Sequence, residues 1–157
     1  MRKFKSSSTI ILKIIIALIA LGAFGFLAAV IPSEIDFNNL GIYIYFLILI
    51  YISALPFFYI VYQIIHLLNI IDKNTGFSES TISVLRRIKL GSSIFSFLYV
   101  IFMPYIFYIA KMEDAPGIAL IGFVMIFGSA VVATFAAVLQ KLIQDGVDIK
   151  FENDLTV

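Results

Sequence analysis

The chain has no cysteine and a single histidine among 157 residues. The first absence excludes disulfides, thiol nucleophiles and thiolate metal sites. The second excludes a histidine metal cluster within one chain. Charge is scarce as well: Asp, Glu, Lys and Arg make up 13% of the residues, against about a quarter in soluble domains. A net charge of +1 gives no broad basic field, so direct nucleic-acid binding is not expected. Catalytic sets are missing too. The histidine has no carboxylate within the apolar runs, the serines sit at caps and run ends, and no aspartate lies at membrane depth, so no nucleophile–base–orienter group forms. A non-enzymatic protein without a cofactor is expected.

What is present is apolar: 62% of the residues are hydrophobic and the mean hydropathy is +1.07. A soluble chain of this length cannot bury that much apolar side chain, which places it in the membrane. Four continuous runs, at about 10–31, 40–68, 90–110 and 117–141, read as transmembrane helices of a single membrane domain covering 1–157. None of their cores holds an ionisable Asp, Glu, Lys or Arg. The runs do not alternate, which excludes barrel strands. Residues 14–31 exceed the apolar region of a signal peptide and lack a small-x-small cleavage site before Pro32, so this run is read as an uncleaved span. Leu40–Leu68 would reach about 43 Å as a helix, longer than a ~30 Å hydrocarbon core. Pro56 offers it a kink, as Pro104 does in the third run.

Ten of the eleven Lys and Arg residues fall in the N-terminal segment, the 69–89 loop and the tail. Lys111 alone lies in the other loops. The positive-inside rule therefore puts both termini in the cytoplasm. The opposite loops, 32–39 and 111–116, are too short to build a pocket. Tyr43, Tyr45, Tyr105 and Tyr108 sit near that boundary as an aromatic belt.

The 69–89 loop reads as turn, cap and helix. Asn74-Thr75-Gly76 is turn chemistry. Ser78 is an N-cap, Phe77 and Ile82 fit a hydrophobic staple, and Glu79 suits the first turn. Ile82, Leu85 and Ile88 share a stripe flanked by Arg86, Arg87 and Lys89. The expectation is a short amphipathic helix on the inner leaflet, separate from the third span, able to serve as a docking helix. A calcium loop starting at Asp72 fails, because its sixth and twelfth positions are Phe77 and Ser83.

Gln63, His66 and Asn69, three residues apart, form a candidate polar patch at the inner end of the second span. Ser129, Ala133 and Ala137, and likewise Gly25 and Ala29, present small faces for close helix packing, within the chain or between two copies. After Gly146, Val147, Ile149 and Phe151 alternate with Asp148, Lys150 and Glu152. The tail can be a helical extension, frayed, or a strand added to a partner's sheet. The ending Leu155-Thr156-Val157 is too common a pattern for carboxylate capture to weigh.

The tail "ENDLTV" after "AAVLQKLIQDGVDIK", and the loop "NTGFSESTISVLRRIKLG", resemble the bacterial domain-of-unknown-function 2975 family. Its motifs fall on Gly76, Phe77, Ser78, Leu85, Arg86, Arg87 and Ile88, and on Glu152 to Val157. The resemblance implies a small four-span inner-membrane protein, all α-helical, with a cytoplasmic partner of the helix-turn-helix regulator type. Phe77, Ser78, Leu85, Arg86, Arg87, Glu152, Asn153, Asp154 and Leu155 are the candidate partner-binding residues. A regulator or scaffold is the leading function. The acidic tail either meets a basic partner or folds against Arg86 and Arg87. The other function classes are a transport or lipid-binding bundle and an accessory subunit of a larger membrane complex.

Overall fold

A computed structural model describes residues 2–30, 32, 40–73 and 75–156, without the side chains of residues 2–6, 30, 40 and 42. The loop 33–39, Asn74 of the turn, the side chains of Arg2, Lys3 and Lys5, and Val157 lie outside the described residues.

Every regular element among the described residues is a helix. Helix α1 spans Arg2–Gly25 and passes into one stretch of π-helix, Phe26–Val30. Helix α2 spans Leu40–Asp72, α3 Glu79–Met112 and α4 Pro116–Leu155. All four are long and apolar enough to cross a membrane. Pro56 and Pro104 lie inside α2 and α3 without breaking either helix, so neither span is split into the half-helices of a transporter.

The helices pack in chain order, α1 on α2, α2 on α3 and α3 on α4, the last contact being the most extensive. α3 is the central element because its apolar and small residues recur at three and four. Val84, Leu85 and Ile88 are 2–4% exposed and form a cluster with Ala136 of α4. Ile60, Ile64 and Leu67 of α2 close that cluster from the other side. A second cluster, Leu49, Met103 and Ile106, holds the far half of the bundle. Gly91 lets α2 approach α3: a Cβ there would lie 2.9 Å from Cγ1 of Ile60. Ser96 adds a cross-helix bond, donating to the Ile126 carbonyl at 3.1 Å.

α1 is peripheral, with no buried residue in its apolar window. Lys13 pairs with Asp72 at the end of α2, which also accepts from Thr9. Further along, the Tyr51 hydroxyl donates to the Leu27 carbonyl at 3.1 Å, within the π-helical stretch where the regular backbone ladder is disturbed. At the opposite end of the bundle Tyr43 hydrogen-bonds Glu113. Tyr45 and Tyr105 pack edge to face at 5.6 Å, with Tyr108 stacked beyond them, so the four tyrosines do gather in one band. Asp114 turns the chain in the left-handed region (φ 49°), and Pro116 opens α4 in its first turn.

The separate amphipathic helix expected in the 69–89 loop is not formed. Residues 79–89 are the first three turns of α3 itself. Nothing from Ile88 to Ser92 stops a helix, and the stripe continues through Gly91, Ser92 and Phe95, all buried. Leu85 and Ile88 are therefore core residues between α2 and α4, not a surface facing lipid headgroups. The true loop is only residues 73–78.

Ser78 does cap α3. Its backbone is extended (φ −145°, ψ 159°) and its hydroxyl accepts from the Thr81 N–H. Two threonines brace the same turn: Thr75 Oγ1 donates to the Ile70 carbonyl at 3.1 Å, and Thr81 Oγ1 donates to the Thr75 carbonyl at 3.5 Å. Thr81 is 1% exposed. Ser78→Ala is expected to lower stability by about 1 kcal/mol, as loss of an N-cap does. A thermal melt of the detergent-solubilised protein, read by circular dichroism, checks this.

Candidate functional site

The tail is helical. α4 has 40 residues, about 60 Å at 1.5 Å per residue, twice the ~30 Å hydrocarbon core. Extending an existing helix needs no new nucleus. Gln144 donates to Asp148 one turn on at 3.3 Å, and Thr156 closes the end by bonding the carbonyls of Glu152 and Asn153. The strand-like alternation beyond Gly146 is thus replaced by a helical spacing. Val147 is 6% exposed, whereas Ile149 is 59% exposed on the other side. Val147, Phe151 and Asp154 share one face.

That face meets the 73–78 turn. The Phe77 ring lies directly over Gly146, where an added Cβ would stand 3.0 and 3.1 Å from two ring carbons. Phe77 nonetheless remains 69% exposed. A hollow lies on each side of the ring. One, of about 570 Å³, is bounded by Ile71, Thr75, Gly76 and Ile143. The other, of about 270 Å³, is bounded by Glu79, Val147, Phe151 and Asp154. Phe77, Ser78 and Lys150 belong to both. Two segments separated by some seventy residues in sequence therefore make one site.

The sequence-predicted residues divide accordingly. Phe77, Ser78 and Asp154 come together here. Glu152, Asn153 and Leu155 are exposed on the last turns of α4, Leu155 at 86%. Leu85 is 2% exposed and belongs to the core, so it cannot touch a partner. Arg86 and Arg87 are exposed on α3, outside both hollows. The fold-back of the acidic tail onto them is not formed: among the described residues the one ion pair is Lys13–Asp72. Sequence reading missed Val147, Lys150, Phe151, Glu79, Ile71 and Ile143. A period of 3.6 applied past Gly146 would have found the α4 members.

The polar patch on α2 also comes apart. Gln63 is 2% exposed and points into the bundle, its carbonyl oxygen without a partner. His66 and Asn69 face outward, and His66 stacks on Tyr62 at 6.3 Å. Small residues fare unequally: Ser129, Ala133 and Ala137 are half-buried, while Gly25 and Ala29 are exposed and a Cβ at Gly25 would meet nothing within 4 Å. Among the described residues no three His, Asp or Glu gather as a metal site would require.

One more hollow lies at membrane depth. It measures about 430 Å³, is half open, and is walled by all four helices. Its lining is almost wholly apolar, and the hydroxyl of Ser53 in its wall is engaged by the Ile50 carbonyl. This is not a polar path between α2 and α3 of the kind that a transporter of polar solutes needs.

No solved structure matches this chain. It is 42% identical over 157 residues to a curated relative, the uncharacterized membrane protein YoaS of Bacillus subtilis strain 168, covering 96% of this chain and 98% of that protein. Residues 30–157, which include the turn, the capped start of α3 and the whole of α4, match the family described as "Protein of unknown function (DUF2975)". The small four-helix membrane protein with its loop-on-tail joint belongs to the DUF2975 family.

Proposed function

We propose that the chain is a non-enzymatic regulator or scaffold that holds a soluble protein at the inner membrane of a bacterium, through the junction of the 73–78 turn with the end of α4. Both termini and the turn lie in the cytoplasm in this reading. Its support is the placement of ten of eleven Lys and Arg at that end of the bundle.

The observation that carries the reading is Phe77. It is an exposed aromatic ring, seated on a glycine, on a turn braced by three hydroxyl side chains, with a hollow on each side. Rigid aromatic anchors beside small pockets are what protein interfaces concentrate their energy on. Charge gives the partner's chemistry. α4 ends in Glu152 and Asp154 with no basic residue in its last turn, where the helix dipole is already negative. A partner with a basic face relieves that accumulation. A small helix-turn-helix regulator, the partner that the family resemblance implies, carries a basic face for DNA. Docking here would then compete with DNA binding. Arg86, Arg87 and Lys89 at the start of α3 contribute about 1 kcal/mol each by attraction to anionic headgroups, and the acidic tail is repelled from the same surface toward the cytosol.

Co-purification from intact cells tests this. The tagged full chain is expected to recover one soluble protein after crosslinking. Phe77→Ala, or removal of Asn153 to Val157, is expected to lose it while the membrane level of the chain is unchanged. Equal recovery in both variants would count against the junction as the docking site.

A further inference from the structure

We infer that the smaller of the two hollows beside Phe77 takes an arginine side chain of the soluble protein docked there, with its guanidinium held by Glu79 and Asp154. This rests on the docking reading above and names the group that the junction recognises.

The lining has both halves that such a side chain needs. Phe77, Val147 and Phe151 give an apolar wall with two aromatic rings. Glu79, from the first turn of α3, and Asp154, from the end of α4, give two carboxylates. Neither belongs to an ion pair among the described residues. Lys150 lines the hollow too, but it is shared with the larger one, and a single cation leaves one negative charge over. Glu79 is favoured where it stands, at the positive end of a helix. Asp154 stands at the negative end of another and gains most from a cation.

Size and charge together select arginine. At about 270 Å³ the hollow falls below the ~300–1,000 Å³ of small-molecule sites, which suits one side chain rather than a cofactor. The methylene stem of arginine packs on apolar surface while its head stays polar. That planar head stacks on aromatic rings and presents forked donors to carboxylates, whereas a lysine ammonium is a hydrated point charge. Position then selects the source. Val84, Leu85 and Ile88 pack on Ala136, which sets Arg86 and Arg87 at the level of Ala136. Asp154 stands eighteen residues further along α4, about 27 Å. A second copy in the same bilayer keeps its own Arg86 and Arg87 at the Ala136 level, too far to reach it. Anionic headgroups are repelled by the surplus negative charge. A soluble protein with a basic face meets neither limit.

The chain has no tryptophan, so Phe77→Trp puts a single fluorophore on the wall of the hollow and keeps a ring for the cation. The full Phe77→Trp chain in detergent is titrated with acetyl-Leu-Arg-Leu-amide and with its citrulline counterpart, which has the same shape and no charge. A saturable fluorescence change is expected with the arginine peptide, and binding about tenfold weaker with the citrulline one. Glu79→Gln and Asp154→Asn, both at exposed positions, are each expected to weaken the arginine peptide about tenfold with the melting temperature unchanged. Equal binding of the two peptides, no binding of either, or parent-like binding in both variants would overturn the arginine site. In intact cells the same two variants are expected to reduce recovery of the crosslinked soluble protein. Recovery that falls with Phe77→Ala but with neither Glu79→Gln nor Asp154→Asn would overturn the arginine site and leave the junction standing. Saturable arginine binding by a chain that recovers no protein would overturn the docking reading instead. A crosslink from Asp154→Cys to the N-terminal segment of a second copy, the competing basic occupant, would overturn the assignment to a soluble partner.

Discussion

Gly91→Leu is expected to prevent stable assembly of the bundle. Gly91 is buried at the crossing of α2 and α3, and even a methyl group there would stand 2.9 Å from Cγ1 of Ile60 and 3.4 Å from the Tyr59 ring. Cγ1 lies next to a β-branch, so Ile60 cannot simply swing aside. Alanine alone should cost about 1–3 kcal/mol, the usual range for overpacking. Leucine adds three carbons beyond that methyl and must push the helices apart. In lipid this is severe, because helix association rests on close packing without a hydrophobic drive between helices. The same separation would open the Val84–Leu85–Ile88 cluster next to it. A thermal melt in detergent reads the effect, with two internal controls. At Gly128 a Cβ meets nothing within 4 Å, so Gly128→Ala should cost nothing and gain from helix propensity. At Gly122 the nearest neighbour is the Met103 sulfur at 3.1 Å, the adaptable part of a flexible side chain, so Gly122→Ala should cost little. A Gly91→Leu chain that melts like the parent would show that the α2–α3 crossing is not the contact that holds the bundle.

Gly146→Leu is expected to abolish partner recovery and leave the membrane bundle intact. The Phe77 ring occupies the space that a side chain at 146 would take. Helix propensity favours replacing the glycine, by about 1 kcal/mol for alanine. The 69% exposed ring is free to give way, so the bundle itself loses nothing. Leucine, however, evicts the ring and fills the floor between the two hollows. Loss of an aromatic anchor at an interface costs about 2 kcal/mol or more, roughly thirtyfold in affinity. The variant thus separates docking from stability, with the melting temperature held or raised while the crosslinked soluble protein disappears. Recovery of that protein at the parent level would sink the role of the junction.

Phe77 and Gly146 also show what could be read from sequence. "GFSES" announces a capped helix start, because Ser at the N-cap and Glu in the first turn act on their own local backbone. That reading held, as did the four long apolar helices. It failed at the far end of the same segment. A stripe of Ile82, Leu85 and Ile88 is equally suited to a membrane surface or a helix core, and periodicity carries no information about which. The tail stayed open between helix, frayed end and strand for a related reason. Over five residues, alternation and helical spacing overlap, and the deciding fact is that α4 arrives there already helical.

Sequence by itself determined the solvent of this protein and the charge bias on which its proposed direction rests. The length of an apolar run against the bilayer thickness, and the distribution of Lys and Arg between loops, are properties of the chain alone. Only the tertiary structure decided which polar and aromatic residues meet. Phe77 rests on Gly146, Gln63 turns away from His66, and Gly91 sits against Ile60 because of how α2 and α4 cross α3. Those crossings are set by side chains far apart in the chain, and their relative heights and rotations cannot be summed from any single segment.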